Sequence, residues 1–279
     1  MSSVLRAPGR RRFASLLLTA VGIASIAAPA GLRAADPVDA ATLTAAESAM
    51  VTALNQDRDA AGLVRVRVDP RLMAIARARS DDMVAKAYFS HTQPDGRNVF
   101  DILNGAGITW YNAGEIIAWN NYPMDSTVSA ANRQWMGSPG HKAIITSADY
   151  NYVGVGLAID PATGKKLWTA VYLKGPDRTG ATTKLGGTTF YPWKTSTTRT
   201  VKVTWSGSDP RLQVLTAGLS NFAVAVRVDG GAWSTITTST TLRYRYVTVR
   251  KGHRYEIRIS AKDKRGNRGA AVIRVVDMR

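Results

Sequence analysis

The stretch that decides the fold is Val153-Gly154-Val155-Gly156-Leu157-Ala158-Ile159, Asp160-Pro161-Ala162-Thr163-Gly164, then Leu167-Trp168-Thr169-Ala170-Val171-Tyr172-Leu173. Two apolar runs of strand length flank a cluster of turn-forming residues. That pattern predicts two buried strands joined as a hairpin. Upstream the periodicity changes. Thr44-Ala45-Ala46-Glu47 reads as a capping box opening a helix, with Met50, Leu54, Arg58 and Ala61 at helical spacing and Gly62 closing it. Asp69-Pro70 is a second helix start, a capping Asp followed by Pro at the first helical position. Leu72, Ile75, Ala76, Arg79 and Met83 give that helix an apolar stripe. A loop follows over 89–98, then a short helix over 99–104 and another over 126–136, with a buried strand at Ile116 to Trp119. Helices followed by a hairpin make a mixed α/β domain.

Downstream, residues 175–197 are rich in Gly, Thr, Pro and Lys without periodicity, a linker signature. Beyond it come short alternating runs at 200–205, 222–228, 242–249, 255–260 and 271–276, the pattern of a β-sandwich. The segment 255–267 resembles the penultimate strand and turn of fibronectin type III and related Ig-like modules.

The first 35 residues stand apart. Arg6, Arg10, Arg11 and Arg12 precede the apolar stretch Phe13 to Ala28, and Ala28-Pro29-Ala30 or Ala34-Ala35 offers a cleavage site. This is the layout of a secretory signal peptide. The run is broken by Gly22 and Pro29 and has no stop-transfer flank, so cleavage is expected rather than a membrane anchor. Arg10-Arg11-Arg12-Phe13 is an incomplete twin-arginine motif, which leaves the export route open. The chain contains no cysteine, which excludes disulfides, thiolate metal sites and a cysteine nucleophile. Stability therefore rests on buried apolar area.

The net charge of +17 is uneven. Residues 36–180 carry 14 Lys/Arg against 15 Asp/Glu, and residues 181–279 carry 18 against 5. The basicity belongs to the C-terminal module.

Of three histidines, two are expected in Gly/Pro-rich loops of the first domain, Phe89-Ser90-His91 and Ser138-Pro139-Gly140-His141. Glu115 stands at the mouth of the strand Ile116 to Trp119, where an unpaired carboxylate is costly. Two imidazoles and a carboxylate can bind a divalent ion such as Zn²⁺ or act as acid and base. Their separations match no short metal motif. Ser90 and Ser138 lie beside the two histidines without a nucleophile-elbow motif.

Six segments occur in an order that resembles the CAP superfamily (cysteine-rich secretory, antigen 5 and pathogenesis-related-1 proteins), in its cysteine-free bacterial form. They are Leu54-Asn55-x-x-Arg58; Ala78-Arg79-Ser80-Asp81-Asp82-Met83 running into Phe89-Ser90-His91; Gly114-Glu115-Ile116-Ile117-Ala118; Trp135-Met136-x-Ser138-Pro139-Gly140-His141; Tyr152 to Ala158; and Leu167 to Tyr172. The resemblance covers roughly residues 45–174. It implies an α-β-α sandwich and a surface cleft holding two His and two acidic residues. His91, Glu115 and His141 match three of the four positions. Where the second acid would stand, Trp135 is followed by Met136, Gly137 and Ser138.

The resulting expectation is an α+β chain: a signal peptide at 1–35, a CAP-like domain at 36–174, a linker at 175–197 and a basic all-β sandwich at 198–279. The expected ligand cleft comprises His91, Glu115, His141 and Ser138, with His91 and His141 as candidate ligands of a divalent metal such as Zn²⁺. Arg243, Arg245, Lys251, Arg254, Arg258, Lys262, Lys264, Arg265 and Arg268 are expected to attract polyanions, many of them on one face. Outside a cell the candidates are anionic wall polymers of the envelope, acidic polysaccharide and anionic lipid headgroups. Export argues against nucleic acid. Three functions fit: a secreted protein whose cleft binds a small or lipidic ligand or a metal; an extracellular hydrolase of wall material or peptide using Glu115 with His91 or His141; and a structural adhesin with a vestigial cleft.

Overall fold

The computed structural model describes residues 3–6 and 40–279. Apart from residues 3–6, the expected leader lies outside the described residues. The chain divides into two compact units, Met1–Gly175 and Pro176–Arg279.

The first unit is built on a five-stranded sheet in the order β1-β3-β5-β4-β2. The strands are β1 (Ser3–Arg6), β2 (Arg67–Val68), β3 (Asn112–Asn120), β4 (Tyr152–Ile159) and β5 (Lys166–Lys174). β4 and β5 form the expected antiparallel hairpin, with Leu157 opposite Trp168. β1 pairs antiparallel with β3, but only from Asn112 to Glu115, so β1 leaves the rim of β3 beyond Glu115 unpaired.

Two layers of helix cover the sheet. Alternation along the strands assigns them. Ile116 and Ala118 of β3, Val153, Val155 and Leu157 of β4, and Trp168, Ala170 and Tyr172 of β5 share a core with α1 (Ala40–Ala60), α4 (Thr127–Gly137) and α5 (Pro139–Ile145), which supply Met50, Leu54, Trp135, Ile144 and Ile145. The opposite face of β4 carries Gly154 and Gly156, against which α2 (Pro70–Ala85) lies. A Cβ at Gly154 would stand 2.1 Å from the backbone of Leu72, and one at Gly156 would stand 2.2 Å from that of Ala76. On this side Met83 meets Ile117 and Leu167. α3 (Val99–Gly105) follows the 89–98 loop and begins with a true capping box between Asn98 and Asp101. The result is the expected α-β-α sandwich.

Three local expectations change. Thr44 to Glu47 does not open α1, which begins at Ala40. Glu47 is instead a buried side chain paired to Arg77 of α2 (2.5 Å), and it accepts from Leu157 N at 3.2 Å. Glu115 is not at the mouth of a strand but within β3. His141 is not in a loop: Ser138-Pro139 starts α5 just as Asp69-Pro70 starts α2.

The second unit is all-β. One antiparallel sheet has the order β10-β7-β6 and the other β12-β11-β8-β9. The first holds β6 (Thr182–Trp193), β7 (Thr198–Ser208) and β10 (Tyr244–Arg250). The second holds β8 (Leu219–Val228), β9 (Ser234–Thr240), β11 (Arg254–Asp263) and β12 (Val272–Asp277). Val201, Val203, Trp205, Val247 and Val249 meet Phe222, Val224, Ile257 and Ile259 in a common core. Most of the stretch expected as linker is therefore β6, an edge strand. Its hydrophobic alternation is interrupted by Gly186-Gly187 and Pro192, as edge strands tolerate.

Candidate functional site

Arg79 organises one side of the site. It faces the sheet from α2 and is 1% exposed, and Glu115 beneath it is fully buried. Arg79 Nε donates to Glu115 Oε1 at 2.9 Å, and Nη1 donates to the Tyr88 hydroxyl at 2.6 Å. Nη2 donates to the carbonyls of Ser90 and His91 at 2.9 and 3.2 Å. One guanidinium thus fixes both the carboxylate and the backbone of the histidine-bearing loop. Burial alone would lower the Arg79 pKa, but the Glu115 hydrogen bond and charge outweigh it and raise it.

The remaining Glu115 oxygen meets His91 Nδ1 at 2.7 Å. With Nδ1 committed to Glu115, any ligation or proton transfer at His91 goes through Nε2. Tyr88 donates to Asp82 at 2.6 Å and Gln93 donates to the same oxygen at 2.9 Å, tying both ends of the loop to α2. Burial and the bond to Asp82 push the Tyr88 hydroxyl up to about 12. Gln93 N donates to Arg97 O at 2.7 Å, and Gly96 takes the left-handed φ of 85° that closes the turn.

His141 belongs to the other helical layer. It lies in the first turn of α5, buried, with Ile144 and Ile145 of the same helix in the core. A groove of 540 Å³ runs over the part of β3 that β1 leaves unpaired. Phe89, from the loop on the α2 side, lines it together with Trp119, Tyr122, Trp135, Ser138 and His141. Phe89, Trp119 and Tyr122 are 42%, 42% and 51% exposed. Lys165 Nζ sits 3.9 Å from the Trp119 ring centre. The floor is fixed by a buried chain in which Trp168 donates to Thr127 Oγ1 at 3.0 Å and Thr127 donates to Asn120 Oδ1 at 2.8 Å.

Of the expected cleft residues, the structure joins Glu115 and His91 directly and puts Ser138 and His141 together in the groove. The first pair belongs to the α2 side of the sheet and the second to the α5 side. Among the described residues, only Asp177, Asp209 and Asp263 bring three acidic or imidazole donor atoms within 4.8 Å of one another, and they lie in the second unit. These carboxylates serve its turns: Asp177 accepts from Thr179 N and Ala217 N, Asp209 from Gly218 N, and Asp263 from Arg265 N and Asn267 N. A resident Zn²⁺ needs four donors or three and a water. Here both Glu115 oxygens are engaged by Arg79 and His91, which leaves the imidazoles of His91 and His141 as the candidate donors.

Trp119 forms a wall of the groove. A second hollow of 740 Å³, which the sequence did not single out, lies between Ala45, Ala49 and Ala53 of α1 and Val128, Ser129 and Asn132 of α4. The helical spacing of these alanines is its only sequence signal.

The basic residues of the second unit do not gather on one face. Arg254, Arg258 and Lys262 share the outer face of β11. Arg254 is paired to Glu256 at 3.1 Å, and Arg258 stacks 4.4 Å from the Trp233 ring centre. Arg243 and Arg245 are on or beside β10 in the other sheet, Lys251 follows it, and Lys264 and Arg265 occupy the turn after β11. Arg268 donates to Ser260 Oγ at 2.9 Å.

Residues 51–172 match the model of the cysteine-rich secretory protein family, CAP. The chain is 32% identical over 132 residues to the protein YkwD of Bacillus subtilis (strain 168), covering 47% of this chain and 48% of that protein. It is 28% identical over 131 residues to the membrane protein YlbC of the same organism, covering 35% of that protein. The chain thus spans half or less of these relatives. Among solved structures, an extracellular SCP-domain protein from Bacillus anthracis str. Ames aligns with a TM-score of 0.43 at 24% identity, covering 50% of this chain and 45% of that one. A cysteine-rich secretory protein from Staphylococcus aureus subsp. aureus Mu50 aligns at 0.40 and 16%, covering 50% and 40%.

Proposed function

Residues 51–172 are a domain of the CAP family, and on that premise we propose that the chain is a secreted binding protein: its His141 groove takes a small amphiphilic ligand, and its basic β-module holds it at an anionic envelope. One observation carries the choice of binding over hydrolysis. Glu115 has no exposed surface and is locked between Arg79 and His91. A carboxylate in that setting orients an imidazole and is not itself the acid or base that meets a substrate in the groove, so the direct use of Glu115 in hydrolysis is disfavoured. The groove supplies what an amphiphile needs, apolar ring faces at Phe89, Trp119 and Tyr122 with polar groups at Ser138 and His141. Strong positive charge beyond residue 180 favours an acidic surface as the partner.

The test is fluorescence titration of the protein with a dansyl-labelled fatty acid, with and without Zn²⁺. Trp119→Ala and His141→Ala are expected to weaken binding about tenfold, a loss of the size expected from one well-packed contact. Ala49→Phe, which fills the α1–α4 hollow, should leave it unchanged. Equal binding by all three variants and wild type removes the groove from the argument. Loss confined to Ala49→Phe transfers the ligand to the α1–α4 hollow. Turnover of wall fragments or peptide that Glu115→Gln abolishes in a folded protein would replace binding with hydrolysis.

A further inference from the structure

We infer that the outer face of the β10-β7-β6 sheet is a glycan-binding platform, and that its ligand is an acidic polysaccharide. This rests on the envelope-binding reading above and deepens it by naming the partner's chemistry and the residues that meet it.

The face follows from alternation. On β7, Val201, Val203 and Trp205 point into the core, so Thr200, Lys202 and Thr204 point outward. The β10 partners of Lys202 and Thr204 are Tyr246 and Tyr244. From β6 comes Tyr191. These three rings are 50%, 36% and 37% exposed. They form one contiguous group: Tyr244 and Tyr246 have ring centres 5.5 Å apart at 72°, and Tyr191 and Tyr246 have ring centres 5.8 Å apart at 65°. Lys202 Nζ stands 4.7 Å from the Tyr244 ring centre. Arg199, 4.9 and 5.0 Å from the ring centres of Phe190 and Trp193, shares the parity of Val201 and so lies on the other face of the sheet, outside the platform. Arg199 Nε also donates to Tyr191 O at 3.0 Å.

Large aromatic rings exposed on a sheet face serve neither folding nor solubility. Ring faces edged by hydroxyls and cations suit a ligand with C–H faces and anionic groups, which is what a carboxylated sugar chain presents. Charge selects the anion. β6, β7 and β10 carry Lys184, Lys202 and Arg250 on the outer face and Arg199 and Arg245 on the other, and not one Asp or Glu. By contrast, Arg227 and Arg254 of the other sheet are paired to Glu256, and Arg279 to Asp277. The sheet with the exposed rings is therefore also the one whose own strands offer no carboxylate to its cations. Nucleic-acid bases prefer rings presented as successive parallel stacking faces, whereas these rings stand edge to face.

The experiment measures binding of the full chain to polygalacturonate, to dextran, to phosphatidylglycerol vesicles and to a single-stranded oligonucleotide at one fixed ionic strength. Tyr244→Ala/Tyr246→Ala and Lys202→Ala should each weaken polygalacturonate binding about tenfold or more. Tyr244→Phe/Tyr246→Phe, which keeps the rings, should retain it. Arg254→Ala/Arg258→Ala on the other sheet should change it less than about threefold. Equal losses from both sheets mean that net charge alone binds, and overturn the platform. Wild-type binding by the Tyr variant also overturns it, as does tighter, ring-dependent binding of the oligonucleotide. If only the vesicles bind, the envelope reading survives and the glycan platform fails; if no acidic ligand binds, both fail. Should the Tyr→Ala pair not fold, Lys202→Glu, a surface charge reversal, decides the same question.

Discussion

Arg79 Nε lies 2.9 Å from Glu115 Oε1, and neither side chain has more than 1% of its surface in contact with solvent. The pair spans the gap between α2 and β3 and holds the His91 loop through His91 Nδ1 and the carbonyls of Ser90 and His91. Removing one member of such a pair strands the other charge in the interior. Glu115→Gln is therefore expected to lower stability by about 3–5 kcal/mol. Arg79→Met/Glu115→Leu, which removes both charges, should cost much less than the sum of the single changes. Denaturant unfolding of wild type, Arg79→Met, Glu115→Leu and the double variant measures this, and additive losses would refute the pairing. Any activity assay using Glu115→Gln must be accompanied by such a melt.

The motif Val153-Gly154-Val155-Gly156 reports helix–sheet distance. With hydrogen at both positions, α2 lies directly on β4. Gly156→Ala would bring its Cβ to 2.2 Å from the Ala76 carbonyl carbon and the Arg77 amide nitrogen, neither of which can swing aside. The helix must lift, opening the layer that holds Arg79. A loss of about 3 kcal/mol or more is expected, at or beyond the upper end of ordinary overpacking. His91 and Glu115 should move apart with it, readable as a shift in the His91 imidazole NMR resonances. A variant as stable as wild type would show that α2 does not sit on those glycines.

These two sites illustrate what the sequence can and cannot carry. The Asp69-Pro70 start and the β4–β5 hairpin were legible because each is a local rule, a cap and a turn, whereas Gly154 and Gly156 read only as part of a strand until the helix lay against them. The His91–Glu115 pairing was legible only through resemblance, since a separation of 24 residues says nothing about distance. Its keystone, Arg79, looked like one more member of an apolar stripe. Thr44 to Glu47 satisfied the capping-box pattern, yet tertiary pairing with Arg77 claimed Glu47 for the core. β6 escaped because an edge strand needs little hydrophobic alternation. The Tyr244-x-Tyr246 alternation was visible, but a sequence does not say which of its two faces meets water.

Acid should weaken the His91 loop before it unfolds the domain. Burial raises the Asp82 carboxyl, but hydrogen bonds from Lys86, Tyr88 and Gln93 outweigh it and hold it at about 2. A carboxylate depressed in the folded state adds stability above its unfolded value near 3.8, and loses it as pH falls toward 2. With Asp82 partly open to solvent, screening reduces the contribution to about 1 kcal/mol. Asp82→Asn should remove that part of the pH dependence between about 4 and 2. Amide exchange in residues 88–93 of the wild type should rise over the same interval. Identical pH profiles for Asp82→Asn and wild type would dismiss the anchor.

Arg58 makes a different use of burial. It is fully buried at the end of α1, and its Nη1 donates to the carbonyls of Ile145 and Ser147 at 2.8 Å each. Nε and Nη2 both donate to Val64 O, at 3.1 and 3.0 Å. The guanidinium thus closes the turn after α1 and caps the C-terminal end of α5, the helix that carries His141. Three residues earlier, Asn55 exchanges hydrogen bonds with both the carbonyl and the amide of Val66, holding the same turn from the other side. Burial depresses the Arg58 pKa, yet a guanidinium remains charged where an ammonium would tend to lose its proton. Arg58→Lys keeps the formal charge but cannot span three carbonyls in a plane. It is expected to cost about 2–4 kcal/mol through carbonyls left without donors. Because α5 is released at one end, ligand affinity at His141 should fall further than the melt alone explains. Arg58→Lys with wild-type stability and affinity would show that the carbonyls find other donors and that the α5 end is held elsewhere.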